Sequence, residues 1–437
     1  MAWKFPQSVT QDTTIVTLSD DGDGVFVAEQ VFIATVAVND TIQPAIAAYG
    51  INHQVIIAGT VAGSPMIIGN GTSLVANSTI TVEETGQVRA YYNQAIEIQG
   101  TGNHIVNHGL ISSYGYYAVF YRTDNIVGES TLVNTGTIDA ALWGVYHDTD
   151  AIDTLVVTNT GTISGDSASY WSGDGALAID LVTNSGKMIG DVQLGGADDL
   201  YDGRLGTIQG DVFGGDGTDR LYAGAGNNRL FGQDGSDTLM GGAGADYLSG
   251  GTGTDRASYS SATKAVIVSL ANPAINSGDA KGDTYNSIEN LTGSNYNDAL
   301  NGNSAKNAIN GGGGNDTIKG YAGNDTLTGY SGADNFVFNT ALNASTNVDT
   351  ITDFNFSADT IQLDDAIFAA LTAGVLASAA FRANTTGLAG DSSDRIIYET
   401  DTGELYYDAN GNAAGGGILF AKVGIGLGLT AADFVVI

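Results

Sequence analysis

Cysteine is absent from the 437 residues. No disulfide holds the chain, so outside a cell its stability must come from packing or from metal. Proline is nearly absent, with 4 residues, which excludes collagen-like and proline-rich disordered chains. Basic residues are scarce: 15 Lys and Arg stand against 48 Asp and Glu, a formal charge of -33. A nucleic-acid partner demands a basic face, so that class is excluded. A cation is the natural partner for so much carboxylate, with solubility the other use of such charge. Long apolar runs are missing too. The most apolar early stretch, Val31 to Val38, is too short to span a bilayer. The opening MAWKFPQSVTQDTT lacks the basic, apolar and small-residue segments of a Sec signal peptide, so export would need another signal. No HExxH zincin motif and no GxSxG nucleophile elbow occurs.

What the chain has is glycine, 62 residues, and repetition, the signature of stacked architectures. Hydrophobic content of 43% is too high for disorder. Residues 1–44 read as short strands forming a β cap, with an acidic turn at Ser19 to Gly24 expected to be solvated. From 45 to 213 a unit of about 25 residues recurs around Gly59, Gly86, Gly109, Gly136, Gly161 and Gly186. Each copy alternates apolar residues about a turn, as strand, turn, strand. Such a unit cannot bury its face alone, so neighbours stack, which predicts a right-handed parallel β-helix with one coil per repeat. Asn107, Asn134, Asn159 and Asn184 fall in register and are expected to stack as a ladder. The period then shortens: Asp199-Leu200-Tyr201 is echoed by Asp219-Arg220-Leu221-Tyr222 twenty residues on. The coil is expected to tighten from about 25 through 20 to 18 residues as one continuous solenoid.

From Gly214 the period is nine. Five units fill 214–258 and five more fill 293–337, with a connecting segment at 259–292. The sixth position reads Asp219, Asn228, Asp237, Asp246, Asp255, then Asp298, Asn307, Asp316, Asp325, Asp334, and the eighth is apolar throughout, from Leu221 to Phe336. The glycine-rich hexapeptide makes a turn needing positive φ. The last three residues make a short strand with one inward side chain, so two units close a thin coil with little apolar burial. The turns aim carbonyl and carboxylate oxygens at one point, where they would repel without a cation. A hard ion taking six to eight oxygens at flexible geometry fits, which points to calcium rather than magnesium. Zinc is disfavoured because the repeats hold no His or Cys.

These nonapeptides resemble the repeats-in-toxin (RTX), hemolysin-type calcium-binding repeat. The resemblance implies a parallel β-roll with calcium between the turns of alternate units. It carries over as ligands Asp219, Asp237, Asp246, Asp255, Asp298, Asp316, Asp325 and Asp334, with backbone oxygens of turn glycines. The glycines in question are Gly215, Gly217, Gly226, Gly235, Gly242, Gly244, Gly251 and Gly253 in the first block, and Gly312, Gly314, Gly323 and Gly332 in the second. Asn228 and Asn307 bring an amide in place of the charge, and units 293–310 lose several glycines. Residues 338–437 resemble the C-terminal region of proteins exported by type I secretion, with an uncleaved signal ending in Phe434-Val435-Val436-Ile437. There the residues predict several strands, a short helix near 365–380, a hairpin at Thr402-Gly403 and an ordinary turn at Asp408 to Asn410.

The expected fold is therefore all-β: a right-handed parallel β-helix continuing into a calcium-binding parallel β-roll, with a small β-rich C-terminal domain. The resemblance implies a secreted, extracellular or cell-surface protein, with calcium and the type I secretion machinery as partners. No complete catalytic constellation is visible. His53, His104, His108 and His147 are expected at the surface. Tyr91, Tyr92, Tyr114, Tyr116, Tyr117, Phe120 and Tyr121 cluster along two coils, where rings can pack in the core or stack on neutral sugars. Two roles follow. The first is a structural or adhesive solenoid of a surface layer, matrix or filament, with self-association or a surface polysaccharide as partner. The second is a polysaccharide lyase or epimerase using Tyr117, Arg122, His147 and Asp148.

Overall fold

The computed structural model describes residues 2–11, 16–35, 44–48, 51–63, 66–68, 77–122, 127–148, 152–173 and 177–437. Residues 36–38 of the early apolar run lie outside these. The chain forms two compact units: residues 1–241 with 249–253, and residues 242–248 with 254–437. The protein is all-β, built mainly from parallel strands stacked as solenoid coils. No described helix is long and apolar enough to cross a membrane.

In the first unit the wide coils have three strands each, for example His104–Asn107, Leu110–Ser113 and Tyr117–Arg122. Every second residue points inward, so identical faces pile into columns. Val55, Ile80, Ile105, Leu132, Val157 and Val182 form one column of paired, fully buried side chains, continued by Tyr201, Leu221 and Leu239. Parallel pairing includes the earliest strands: Trp3 stands opposite Gly24, and Gly24 opposite Gln54. The acidic turn at 19–24 is tied down by backbone donors. Asp21 accepts from the Ile51 N–H, and Asp23 from the Ala2 N–H.

The expected asparagine ladder is present. Asn107 Nδ2 donates to Asn134 Oδ1 at 2.7 Å, Asn134 to Asn159 at 2.7 Å and Asn159 to Asn184 at 2.8 Å, spanning 27, 25 and 25 residues. All four are buried. The coil then narrows abruptly, because one strand of the three is lost. The short strand Thr207–Gln209 pairs with Lys187 to Ile189; beyond it the coil consists of strands such as Arg229–Gly235 and Thr238–Met240.

The second unit contains two-strand coils. Leu291, Ile309, Leu327 and Ile351 form one buried column. Leu300, Ile318, Phe336, Ile361 and Phe434 form the other. These are the eighth-position residues of the nonapeptides and their continuation. The coil widens again after the repeats: Asp325 and Asp349 are linked across 24 residues, Asp334 and Asp359 across 25. The hairpin is present, with Ile396–Glu399 antiparallel to Glu404–Asp408. The helix expected near 365–380 does not form. Asp364 starts an isolated turn, accepting the Phe368 N–H. Gly374 then takes φ +116° and the strand Gly374–Val375 pairs with Val435 and Val436. Sheet pairing therefore wins over the local helical period, leaving only a 3-10 turn at Ser378–Ala380.

Candidate metal centre

One contact recurs along the narrow solenoid. The sixth-position carboxylate accepts, through Oδ1, the backbone N–H of the matching residue one coil earlier. In the first unit Asp219 N–H reaches Asp237, 18 positions on, at 2.8 Å. In the second, Asp298 N–H reaches Asp316 and Asp316 N–H reaches Asp334, each at 2.8 Å, while the opposite edge links Asn307 to Asp325 at 2.8 Å. This contact consumes one carboxylate oxygen. The other Oδ2 of Asp219, Asp316 and Asp325 is buried and meets no hydrogen-bond donor. A buried acceptor without a donor is costly, and a carboxylate offers no donor of its own unless it is protonated.

Burial accordingly drives these carboxyls toward the neutral form. It pushes Asp219 and Asp316 up to about 7 and Asp325 to about 6, with neighbouring carboxylates adding to the effect at Asp219 and Asp316 and backbone N–H bonds opposing it at all three. Asp237, Asp298 and Asp334 are raised by burial as well. A bound cation supplies the missing positive charge and removes the need for a proton.

Two glycine positions shape the cradle for different reasons. The first glycine of a unit has ordinary φ but lies against its own carboxylate: a methyl group on Gly214 would sit 2.2 Å from Asp219 Oδ2, and one on Gly311 equally close to Asp316 Oδ2. The fourth glycine has positive φ, +136° at Gly217 and +138° at Gly235, and brings carbonyls of successive coils together. A methyl group on Gly235 would lie 1.5 Å from the Gly217 oxygen. The twelve turn glycines named from the sequence all have positive φ. Among the described residues no group of three or more acidic or histidine side chains is placed to hold a metal ion, so the donor set available in the repeats is a carboxylate with backbone carbonyls. Those all-oxygen donors suit a hard cation.

Asn228 and Asn307 behave differently from the aspartates. Asn228 Nδ2 donates to the Gly224 and Gly226 oxygens at 3.1 Å, and Asn307 Nδ2 to the Glu289 oxygen at 2.7 Å. Their amide nitrogens thus take carbonyls that a cation would otherwise share.

A family model described as the RTX calcium-binding nonapeptide repeat (4 copies) matches residues 213–248, 231–257, 283–318 and 310–339. These two stretches are RTX nonapeptide repeats. They are of the calcium-binding type, and the matched residues contain the ten sixth-position side chains. No curated protein matches the chain.

The RTX ladders extend to residues that the nine-residue pattern does not mark. Asp199 N–H donates to Asp219, and Asp180 N–H to Asp199, at 2.8 and 2.7 Å. In the second unit Asp283, Asp349 and Asp359 accept from Asp246, Asp325 and Asp334. Only Asp199 had a sequence signal, the echo of its Asp-Leu-Tyr; the others sit in coils of irregular length.

Two histidine expectations are corrected. His104 and His108 lie outside the core, facing Thr131 and Thr135, but His53 and His147 are fully buried. His147 lies between Asp180 and Asp153, 2.9 Å from each. Burial opposes its charge, yet the two carboxylates raise it to about 10. It is a core imidazolium. The grouping of Tyr117, Arg122, His147 and Asp148 therefore does not share one accessible site: His147 is enclosed, while Arg122 is exposed and pairs with Glu97 at 3.6 Å. Tyr121 is also core, donating to the Thr131 oxygen. The other rings of that cluster face outward. Tyr91 stacks on Tyr114 at 5.8 Å and Tyr117 on Trp143 at 5.2 Å; Phe120, Tyr146 and Trp171 occupy paired positions on successive strands.

Proposed function

We propose that the chain is a secreted, calcium-binding β-solenoid with a structural or adhesive role at the cell surface, in a surface layer, matrix or filament. Calcium is held by the sixth-position aspartates of the repeats together with turn carbonyls. Because that ion offsets the repulsion and desolvation of buried carboxylates, its binding free energy becomes folding free energy. The chain stays loose where calcium is scarce, passes a type I export system, and folds outside.

The observation that carries this reading is the joining of an acidic, calcium-type column to an outward aromatic face in one chain. Partly exposed rings at strand spacing, about 4.8 Å apart, present flat apolar surfaces that stack on sugar rings. The overall charge of -33 disfavours polyanions, so the adhesive partner is a neutral glycan. Calcium-dependent light scattering with electron microscopy tests the structural arm, with ordered assemblies expected only in calcium. Retention on insoluble neutral polysaccharides tests the adhesive arm: wild type should bind, and Tyr117→Ala with Trp143→Ala should not. A monomer that neither assembles nor binds any glycan in saturating calcium contradicts both arms.

A further inference from the structure

We propose that the calcium column begins one coil before the matched repeats, at a site between the turn 194–199 and the turn 214–219. The matched repeats start at residue 213. Strand register nevertheless places Gly195 opposite Gly215 and Gly196 opposite Asp216, which makes 194–202 a unit in nonapeptide phase. Its first and fourth positions are Leu194 and Ala197 where the repeat has glycine, so it lacks the glycine signature of the nonapeptide.

The backbone is kept all the same. Gly195 has φ +96°, and Ala197 takes φ +90°, a region L-residues seldom occupy. The carbonyls approach the next turn as they do inside the repeats. A methyl group on Gly215 would lie 1.6 Å from the Gly195 oxygen, and one on Gly217 would lie 1.8 Å from the Ala197 oxygen. Asp198 Oδ1 accepts the Thr218 N–H at 2.7 Å, locking the two turns together.

A separate observation points to the ion. Asp199 is 3% exposed. Its Oδ1 accepts the Asp180 N–H, and its backbone N–H donates to Asp219 Oδ1. Its Oδ2 is buried with no hydrogen-bond partner, and the same is true of Asp219 Oδ2 in the next turn. Two acceptor-only carboxylates on adjacent coils, with turn carbonyls beside them, form an all-oxygen donor set for a hard divalent cation. One coil earlier the ladder is compensated differently. Asp180 Oδ1 receives the Tyr170 hydroxyl at 2.6 Å and faces His147 Nδ1 at 2.9 Å. There an imidazolium supplies the positive charge, so the metal column starts at Asp199.

This inference rests on the calcium reading of the repeats. The test counts calcium ions bound to the full chain, by native mass spectrometry and equilibrium dialysis, for wild type, Asp199→Asn, Asp199→Ala and the control Asp202→Asn. Asparagine occupies the sixth position naturally at 228 and 307, so Asp199→Asn keeps the acceptor for the Asp180 N–H. Both Asp199 variants should bind one calcium fewer than wild type, with circular dichroism in saturating calcium unchanged, and Asp202→Asn should bind the full number. An unchanged count and affinity in both variants overturns the proposal. A density map of the calcium-loaded wild-type chain decides any case in which a variant loses its fold or several ions: a calcium between the two turns supports the site, and its absence there overturns it. A wild-type chain that binds no calcium anywhere refutes instead the reading of the repeats.

Discussion

Two ladders run through the first unit, one of amides and one of carboxylates, and they solve the same stacking problem with opposite consequences. Asn107, Asn134, Asn159 and Asn184 each carry a donor and an acceptor, so every rung satisfies the next. Asp180, Asp199, Asp219 and Asp237 carry acceptors only. Asp199, Asp219 and Asp237 accept one backbone N–H each, Asp180 accepts the Tyr170 hydroxyl, and at Asp180, Asp199 and Asp219 the second oxygen receives no hydrogen bond. The amide ladder is complete with protein alone. The carboxylate ladder needs a proton, an imidazolium or a metal. A difference of one atom per coil thus decides which part of the solenoid depends on its ionic surroundings.

The largest effect that would break this comparison is calcium removal. At neutral pH a chelator should abolish much of the β-sheet circular dichroism contributed by the repeats, and calcium should restore it; an unchanged spectrum would place the carboxylate ladder alongside the amide one. Proton binding should substitute in part. Asp219, Asp316 and Asp325 are raised to about 6 to 7 from an ordinary value near 4. In the calcium-free chain their contribution to stability is therefore fully present below about pH 4 and lost as pH rises through about 7. Calcium-free repeats should gain β structure on acidification, whereas calcium affinity should fall over the same range. Denaturant melts at pH 4.5 and 7.5, with and without calcium, check both signs.

Next in size is an exchange of ladder chemistry. Asn134→Asp removes the donor to Asn159 and places a charge in the core, and should cost about 3–5 kcal/mol. Asn134→Ala should cost less, about 1–3 kcal/mol. The smallest expected effect concerns one glycine pair. Gly311→Ala drives a methyl group against Asp316 Oδ2 and should weaken calcium binding by that unit roughly tenfold, about 1.4 kcal/mol. Gly313→Ala makes only ordinary contacts, the nearest at 3.4 Å, at a φ outside the left-handed region, and should leave binding unchanged in calorimetry.

Much of this was legible in the residues because a solenoid writes its contacts at a fixed period. The asparagine register, the buried eighth-position column from Leu300 to Phe336 and the alternate-unit pairing all follow from spacing. What spacing could not carry was the irregular coil. Asp349 and Asp359 join the ladders across 24 and 25 residues, where no nine-residue phase marks them. Asp199 was visible as an echo, but Leu194 and Ala197 hid its turn. His147 reads as a surface residue because its partners, Asp153 and Asp180, lie 6 and 33 residues away at no repeat spacing. The failed helix near 365–380 has the same origin: its local period competes with pairing to Val435 and Val436, far away in sequence.

The central claim is that calcium holds the carboxylate-laddered coils and leaves the amide-laddered coils to hold themselves. Hydrogen exchange read by mass spectrometry on the full chain, in calcium and in chelator at neutral pH, tests it directly. Peptides covering 214–258 and 293–337 should lose protection when calcium is removed, while peptides covering 104–184 stay protected. Equal loss in both regions, or protection retained throughout, would contradict the account.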